Sequence, residues 1–505
     1  MLNLLKDEND RVKIAAIEAS GKIKNPKLFS FLFLYLSYPP LTEAASRASI
    51  EMGEDAMDEF EKEFVVHSND SIRLRKLSHI CGRIGGQRSI ELLKKHISIR
   101  DTEVRNQILY ALASCGYQCK SDEEVNVILK AIDNELNDAA WFLSCLANIF
   151  TLVPTSAVKH LNGLERAFTV EINQIKKRIM FLLSYIYEAK TILKAKDNYF
   201  LNSSEKKANA IEILDVVTSQ ELTAKMLPLL EDFSLPNQIK LLNTFYRQKK
   251  LTFYEYLQYV LAEKNVPDIN PWTYAIILYL IKKLQLKEFI PIVYQSILSP
   301  YPLIVETALW TLTDLQPLHY ERYLEDFTGV QLDHIKRIME TIDQRDMKSK
   351  LMTIEKVMVL KTTDIFSETS EEILVDIASI IIEQQVKAGE LIVHKGEVGS
   401  CMYIIYEGRV RVFDGEHTFA QLGSRDFFGE LSLLDAEPRS ASVAALEDTF
   451  LLRLDQHTFF EIMADRIEVT REILKILCRR LRFQNQSVAD LQIKLMNSND
   501  TNAII

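Results

Sequence analysis

The residues with the clearest chemical potential lie near the end of the chain, in the stretch FGELSLLDAEPRSASV, Phe428 to Val443. One carboxylate, Glu430, follows a glycine, and one guanidinium, Arg439, follows a proline nine residues later. Gly429 lets the backbone come close to a ligand without a side chain in the way. The turn into ELSLL would direct free N–H groups at an anion, and Arg439 would supply the countercharge. Glu430 is then an acceptor for a neighbouring hydroxyl. Taken singly, each residue has an ordinary explanation: an Arg after Pro is commonly a solvated turn residue, and a Glu at a helix start complements the helix dipole. Together they describe a site for a small molecule carrying one anionic group beside one hydroxyl.

A cyclic nucleotide has those features: a phosphodiester, a ribose 2′-hydroxyl and a flat base. FGELSLLDAEPRSASV resembles the phosphate-binding cassette of the cyclic nucleotide-binding domains of catabolite activator proteins, protein kinase A regulatory subunits and gated channels. The likeness extends through VKAGELIVHKGEVGSCMYIIYEGRVRVF, where Gly389, Gly396, Gly399 and Gly408 fall at the family's turn positions. It spans Leu360 to Leu495. The resemblance implies an eight-stranded β roll flanked by helices. It maps the ligand contacts onto Gly429, Glu430, Leu431, Ser432, Arg439 and Ser440, with Ser442 close by.

The final helical pattern bears on the base. Ile473, Leu477, Leu481, Gln484, Val488, Leu491 and Leu495 step by three or four and draw one stripe with a single polar interruption. In the family this helix closes over the base, and Gln484 and Asn485 align with positions that meet adenine in the activators. Three roles for Gln484 stay open: reading the base edge, fixing register in a short coiled coil, or lying exposed on a docking helix. Cyclic AMP is the default ligand, with cyclic GMP as the alternative. No cofactor or metal is expected.

What positions this site is a much longer chain. At 505 residues the protein has room for two or three domains. DENDRVKIAAIEASGKI, SNDSIRLRKLSHICGRIG and RDTEVRNQILYALASCG share an acidic or polar turn, apolar positions at helical spacing and a closing glycine. Gly21, Gly53, Gly85 and Gly116 recur at a period of about 32 residues, which predicts stacked helix pairs. These phrases resemble HEAT repeats. The fold expected is therefore multidomain: a HEAT-like helical solenoid over residues 1–345, a helical junction at 346–359, an α+β cyclic nucleotide-binding domain at 360–495, and a disordered tail at 496–505.

Composition narrows the function. Sixty Lys and Arg against 70 Asp and Glu give a net charge of −10, so no basic field is available for a nucleic acid backbone. The ten residues after Leu495 hold no DNA-reading helix-turn-helix, and no nucleic acid is expected as a partner. Six irregularly spaced cysteines fit a reducing, cytoplasmic setting. The phosphate-loop, H-E-x-x-H and G-x-S-x-G motifs are all missing, so an enzyme is not expected.

The leading reading is a receptor in which cyclic nucleotide binding is coupled to a protein-binding array, with a homodimer through the last helix as an option. One alternative is a scaffold with a ligand-free nucleotide-binding fold. Another starts from LNLLKD, which looks like the end of an earlier repeat and lacks a polar cap. On that reading the chain is a regulatory tail, at the cytoplasmic face of the membrane, of a transporter resembling bacterial ATP/ADP translocases.

Overall fold

The computed structural model describes residues 1–505 except 37–38, 68–69, 149–157, 202, 250, 263–268, most of 317–350, 368, 436, and 466–505 apart from Leu474 and Cys478. Internal contacts divide the chain into two units, Met1–Pro317 and Leu318–Ile505. Among the described residues no helix is long and apolar enough to cross a membrane.

The first unit is helical. The polar turn that opens each repeated phrase is an N-cap: Asn9, Asp70 and Asp101 accept from the main-chain N–H groups of Arg11, Arg73 and Val104. Each thereby satisfies a donor that the first helical turn leaves without a partner. The helices Asp10–Ile23 and Pro39–Met52 pack together, as do Ser71–Ile84 and Thr102–Ser114. Polar contacts also join segments about one period apart, as in Glu54 with Arg88 and Arg75 with Glu103.

The recurrent glycines are of two kinds. Gly53, Gly85 and Gly116 have φ between +66° and +69°, positive values that glycine adopts readily where a helix closes. Gly21 differs, because its helix continues to Ile23 and Lys24 takes the left-handed position. A Cβ on Gly21 would lie 2.8 Å from the Cα of Ala48. Its counterpart is Gly82, where a Cβ would lie 2.8 Å from that of Ala111. These two glycines let paired helices approach closely.

Beyond Lys120 the packing departs from a stack in which each repeat meets only its neighbours. Asn270 N–H donates to Glu171 at 2.7 Å, and the Tyr301 hydroxyl donates to Asp101, 200 positions earlier. The long helices Asp122–Asn148 and Val158–Ile186 are joined by a buried ion pair in which Arg178 Nε donates to both Glu135 oxygens at 2.9 Å. Arg178 also donates to Asn106 at 3.1 Å. The buried carboxylate holds the guanidinium in its charged form, raising its pKa against the cost of desolvation.

Among its described residues the second unit contains two four-stranded antiparallel sheets, ordered β1-β8-β3-β6 and β2-β7-β4-β5. The strands are β1 (Ile382–Val386), β2 (Leu391–Val393), β3 (Cys401–Glu407), β4 (Val410–Asp414), β5 (His417–Leu422), β6 (Phe427–Phe428), β7 (Ser442–Ala445) and β8 (Thr449–Asp455). Alternate residues of both sheets form one core: Cys401, Tyr403 and Ile405 of β3 meet Val443 and Ala445 of β7. The intervening Met402 and Ile404 are also fully buried. Strand β3 is thus apolar on both faces.

The helices Thr353–Thr362 and Glu371–Ile380 pack on each other, and Glu371–Ile380 also packs on Gln456–Asp465. Glu383 of β1 ties the first of them down, pairing with Lys356 at 2.9 Å and accepting from Leu351 N–H.

Candidate cyclic nucleotide site

The candidate site lies between β6 and β7. Gly429 has φ +79°, a conformation that turns the chain sharply off β6 and that a side chain would strain. The four-residue helix Leu431–Leu434 follows immediately, with Glu430 at its N-cap position. Glu430 is half-buried, Leu431 is 72% exposed, and Ser432 is buried. The exposed Leu431 leaves an apolar side chain at the rim of the turn.

Arg439 is fixed at both its backbone and its tip. Its N–H donates to Glu397 O at 2.8 Å and its O accepts from Gly396 N–H at 2.9 Å, beside the bridge between Val398 and Pro438. The loop before β3 therefore runs antiparallel to the segment carrying the arginine. The guanidinium turns back toward β3 and β6, donating from Nη2 to Cys401 O at 2.6 Å and from Nη1 to Gly429 O at 3.3 Å. Cys401 Sγ lies 3.6 Å from Nη2. Two carbonyl dipoles thus orient a cation whose other N–H groups are available for an acceptor.

Gly429, Glu430, Ser432 and Arg439 are brought together at this turn. Ser440 is exposed beside Arg439. The buried Ser442 hydroxyl accepts from Lys395 N–H at 3.0 Å, which ties β7 to the loop after β2. Gln484 and Asn485 lie outside the described residues, as does the apolar stripe that contains them.

Cys401 and Gly399, not picked out as site residues in the sequence, lie against the arginine's guanidinium. Gly399 had signalled only a turn, because its approach to Arg439 depends on pairing across 40 positions. Below the site Tyr403 stacks on Phe428 with ring centroids 5.1 Å apart. Burial, then the adjacent Cys401, push the Tyr403 phenol up, so it is neutral at physiological pH.

Residues 383–466 match the family model of the cyclic nucleotide-binding domain. The CRP-like cAMP-activated global transcriptional regulator of Mycobacterium tuberculosis is 35% identical over 108 residues, covering 20% of this chain and 48% of that protein. The cyclic AMP receptor protein of Thermus thermophilus is 37% identical over 114 residues, covering 22% of this chain and 50% of the relative. The chain thus spans about half the length of these curated relatives. A solved structure of the regulatory domain of Toxoplasma gondii PKA with cAMP is 28% identical, covering 22% of this chain and 45% of that one, with a TM-score of 0.21.

The C-terminal region of this protein is a cyclic nucleotide-binding domain, and it follows a mostly helical N-terminal region. The relatives that it resembles include a cAMP-activated transcriptional regulator and a cyclic AMP receptor protein.

Proposed function

We propose that this protein is a non-enzymatic cytoplasmic receptor for a cyclic nucleotide, cyclic AMP in the first place and cyclic GMP as the alternative. The observation that carries the reading is the Arg439 guanidinium held by two backbone carbonyls beside the Gly429–Ser432 turn. An anion at that turn meets a preoriented cation. Glu430, next in the chain, accepts from the 2′-hydroxyl. Leu431, Ser440 and Ser442 complete the cassette, and Gln484 and Asn485 on the closing helix meet the base. The eight strands form the roll, at residues 360–495.

Residues 1–345 act as a HEAT-like array that binds a protein partner, joined through 346–359. The ligand favours one position of the closing helix over another. That difference in affinity is the free energy available for coupling to the array.

Calorimetric titration of the full chain with cyclic AMP and with cyclic GMP tests the proposal. Binding is expected for at least one, and ligand at a hundred times its dissociation constant should stabilise the domain by about 2.7 kcal/mol. Absence of heat with both, together with an unshifted melting curve, would leave the scaffold reading in its place.

A further inference from the structure

We propose that Gly399 is a positioning residue for Arg439, a role that rests on the cyclic nucleotide reading of the site. A Cβ built on Gly399 would stand 2.5 Å from Arg439 Cζ and 2.5 Å from Ser432 Oγ. Both distances are far inside van der Waals contact, so the guanidinium and the Ser432 hydroxyl lie together on bare backbone. The surface that Gly399 provides brings the arginine and the cassette serine into one place.

The effect of a side chain there is separable from damage to the fold. The φ of Gly399 lies outside the left-handed region, so alanine meets no backbone strain. Gly429 offers no such probe, because at φ +79° any substitution also strains the turn. The atoms that would clash at Gly399 are the ends of side chains, which can swing away. Arg439's own backbone is held independently by Gly396 and Glu397. The methyl group therefore moves the guanidinium off Cys401 O and Gly429 O while the surrounding loops stay paired.

The predicted result is a protein that folds normally and binds poorly. Full-length parent, Gly399→Ala, Arg439→Ala and the double variant are titrated calorimetrically with cyclic AMP and cyclic GMP and melted without ligand. Gly399→Ala should weaken binding at least about tenfold, as expected when a charge-assisted contact is misplaced. In the Arg439→Ala background it should add no further loss, since the group it positions is gone.

Parent-like affinity in Gly399→Ala, or losses that multiply in the double variant, would overturn the inference. A ligand-free readout separates this from the fate of the receptor reading. In protein labelled with 15N-arginine, the Arg439 Nε–Hε signal, assigned by its loss in Arg439→Ala, should shift in Gly399→Ala. An unmoved signal refutes the positioning role even if the parent binds neither nucleotide. A parent that takes up neither nucleotide refutes the receptor reading, and the signal still decides the role of Gly399.

Discussion

Arg439 Nη2 donates to the carbonyl oxygen of Cys401 at 2.6 Å, tying the cation of the cassette to the first residue of β3. The planar fork of arginine reaches this carbonyl and that of Gly429 while leaving N–H groups for a ligand. Lysine carries the same charge on a single nitrogen and cannot span the same partners. Arg439→Lys is therefore expected to behave like Arg439→Ala, each weakening nucleotide binding by about 10- to 150-fold, the equivalent of losing a contact of 1.5 to 3 kcal/mol. Calorimetry on both variants checks this, and a lysine variant that binds like the parent would show that charge alone suffices.

Glu430 sits at the N-cap position of Leu431–Leu434, and its proposed acceptor role concerns the ribose. Glu430→Ala should weaken cyclic AMP binding about tenfold. The 2′-deoxy analogue should bind the parent with a similar loss, and Glu430→Ala should cost that analogue nothing more. Independent losses from the two changes would place Glu430 elsewhere.

Gly82 tests the packing of the helical unit. Alanine in a helix interior is favoured over glycine by about 1 kcal/mol, but here its Cβ would meet the Ala111 Cβ at 2.8 Å. Overpacking costs about 1 to 3 kcal/mol, so the net effect of Gly82→Ala should be destabilising. Urea denaturation should show a lower midpoint, partly restored when Ala111→Gly is added. A rise in stability with the single change would mean that the helices separate freely.

Lys176 predicts a pH dependence. Burial, then the neighbouring charge of Lys207, push its ammonium down to about 8, with Asp232 opposing, and it lies over the Tyr199 ring. Below about pH 8 the group is charged in both folded and unfolded chains, and the folded state bears the full cost. Between about 8 and 10.5 the folded chain releases the proton first, so this contribution to stability improves as pH rises. Lys176→Met should raise the melting temperature at pH 7, and the gain over the parent should shrink by pH 10. A gain that is constant with pH would assign the effect to packing.

The candidate cassette could be proposed from sequence because its parts are close together in the chain. Gly429, Glu430 and Ser432 are consecutive or nearly so, and the glycine forces a turn by its own conformational range. The polar turns that open the repeated phrases were legible for the same local reason: Asp70 and Asp101 bond to N–H groups only three residues ahead. Periodicity found the helix-closing glycines but placed Gly21 among them. A glycine that ends a helix and one that admits a neighbouring helix look alike in sequence.

The sequence by itself determined that a helical region precedes a β domain and singled out the stretch of that domain proposed to meet a ligand. Both follow from local chemistry: side-chain period, capping and turn preference act within a few residues. Only the tertiary structure decided that Arg439 is anchored on Cys401 and Gly429, that Gly399 lies beneath it, and that Tyr301 reaches Asp101. Those contacts depend on strand register and on how distant helices pack, energies spread over many weak interactions that no short stretch of sequence displays.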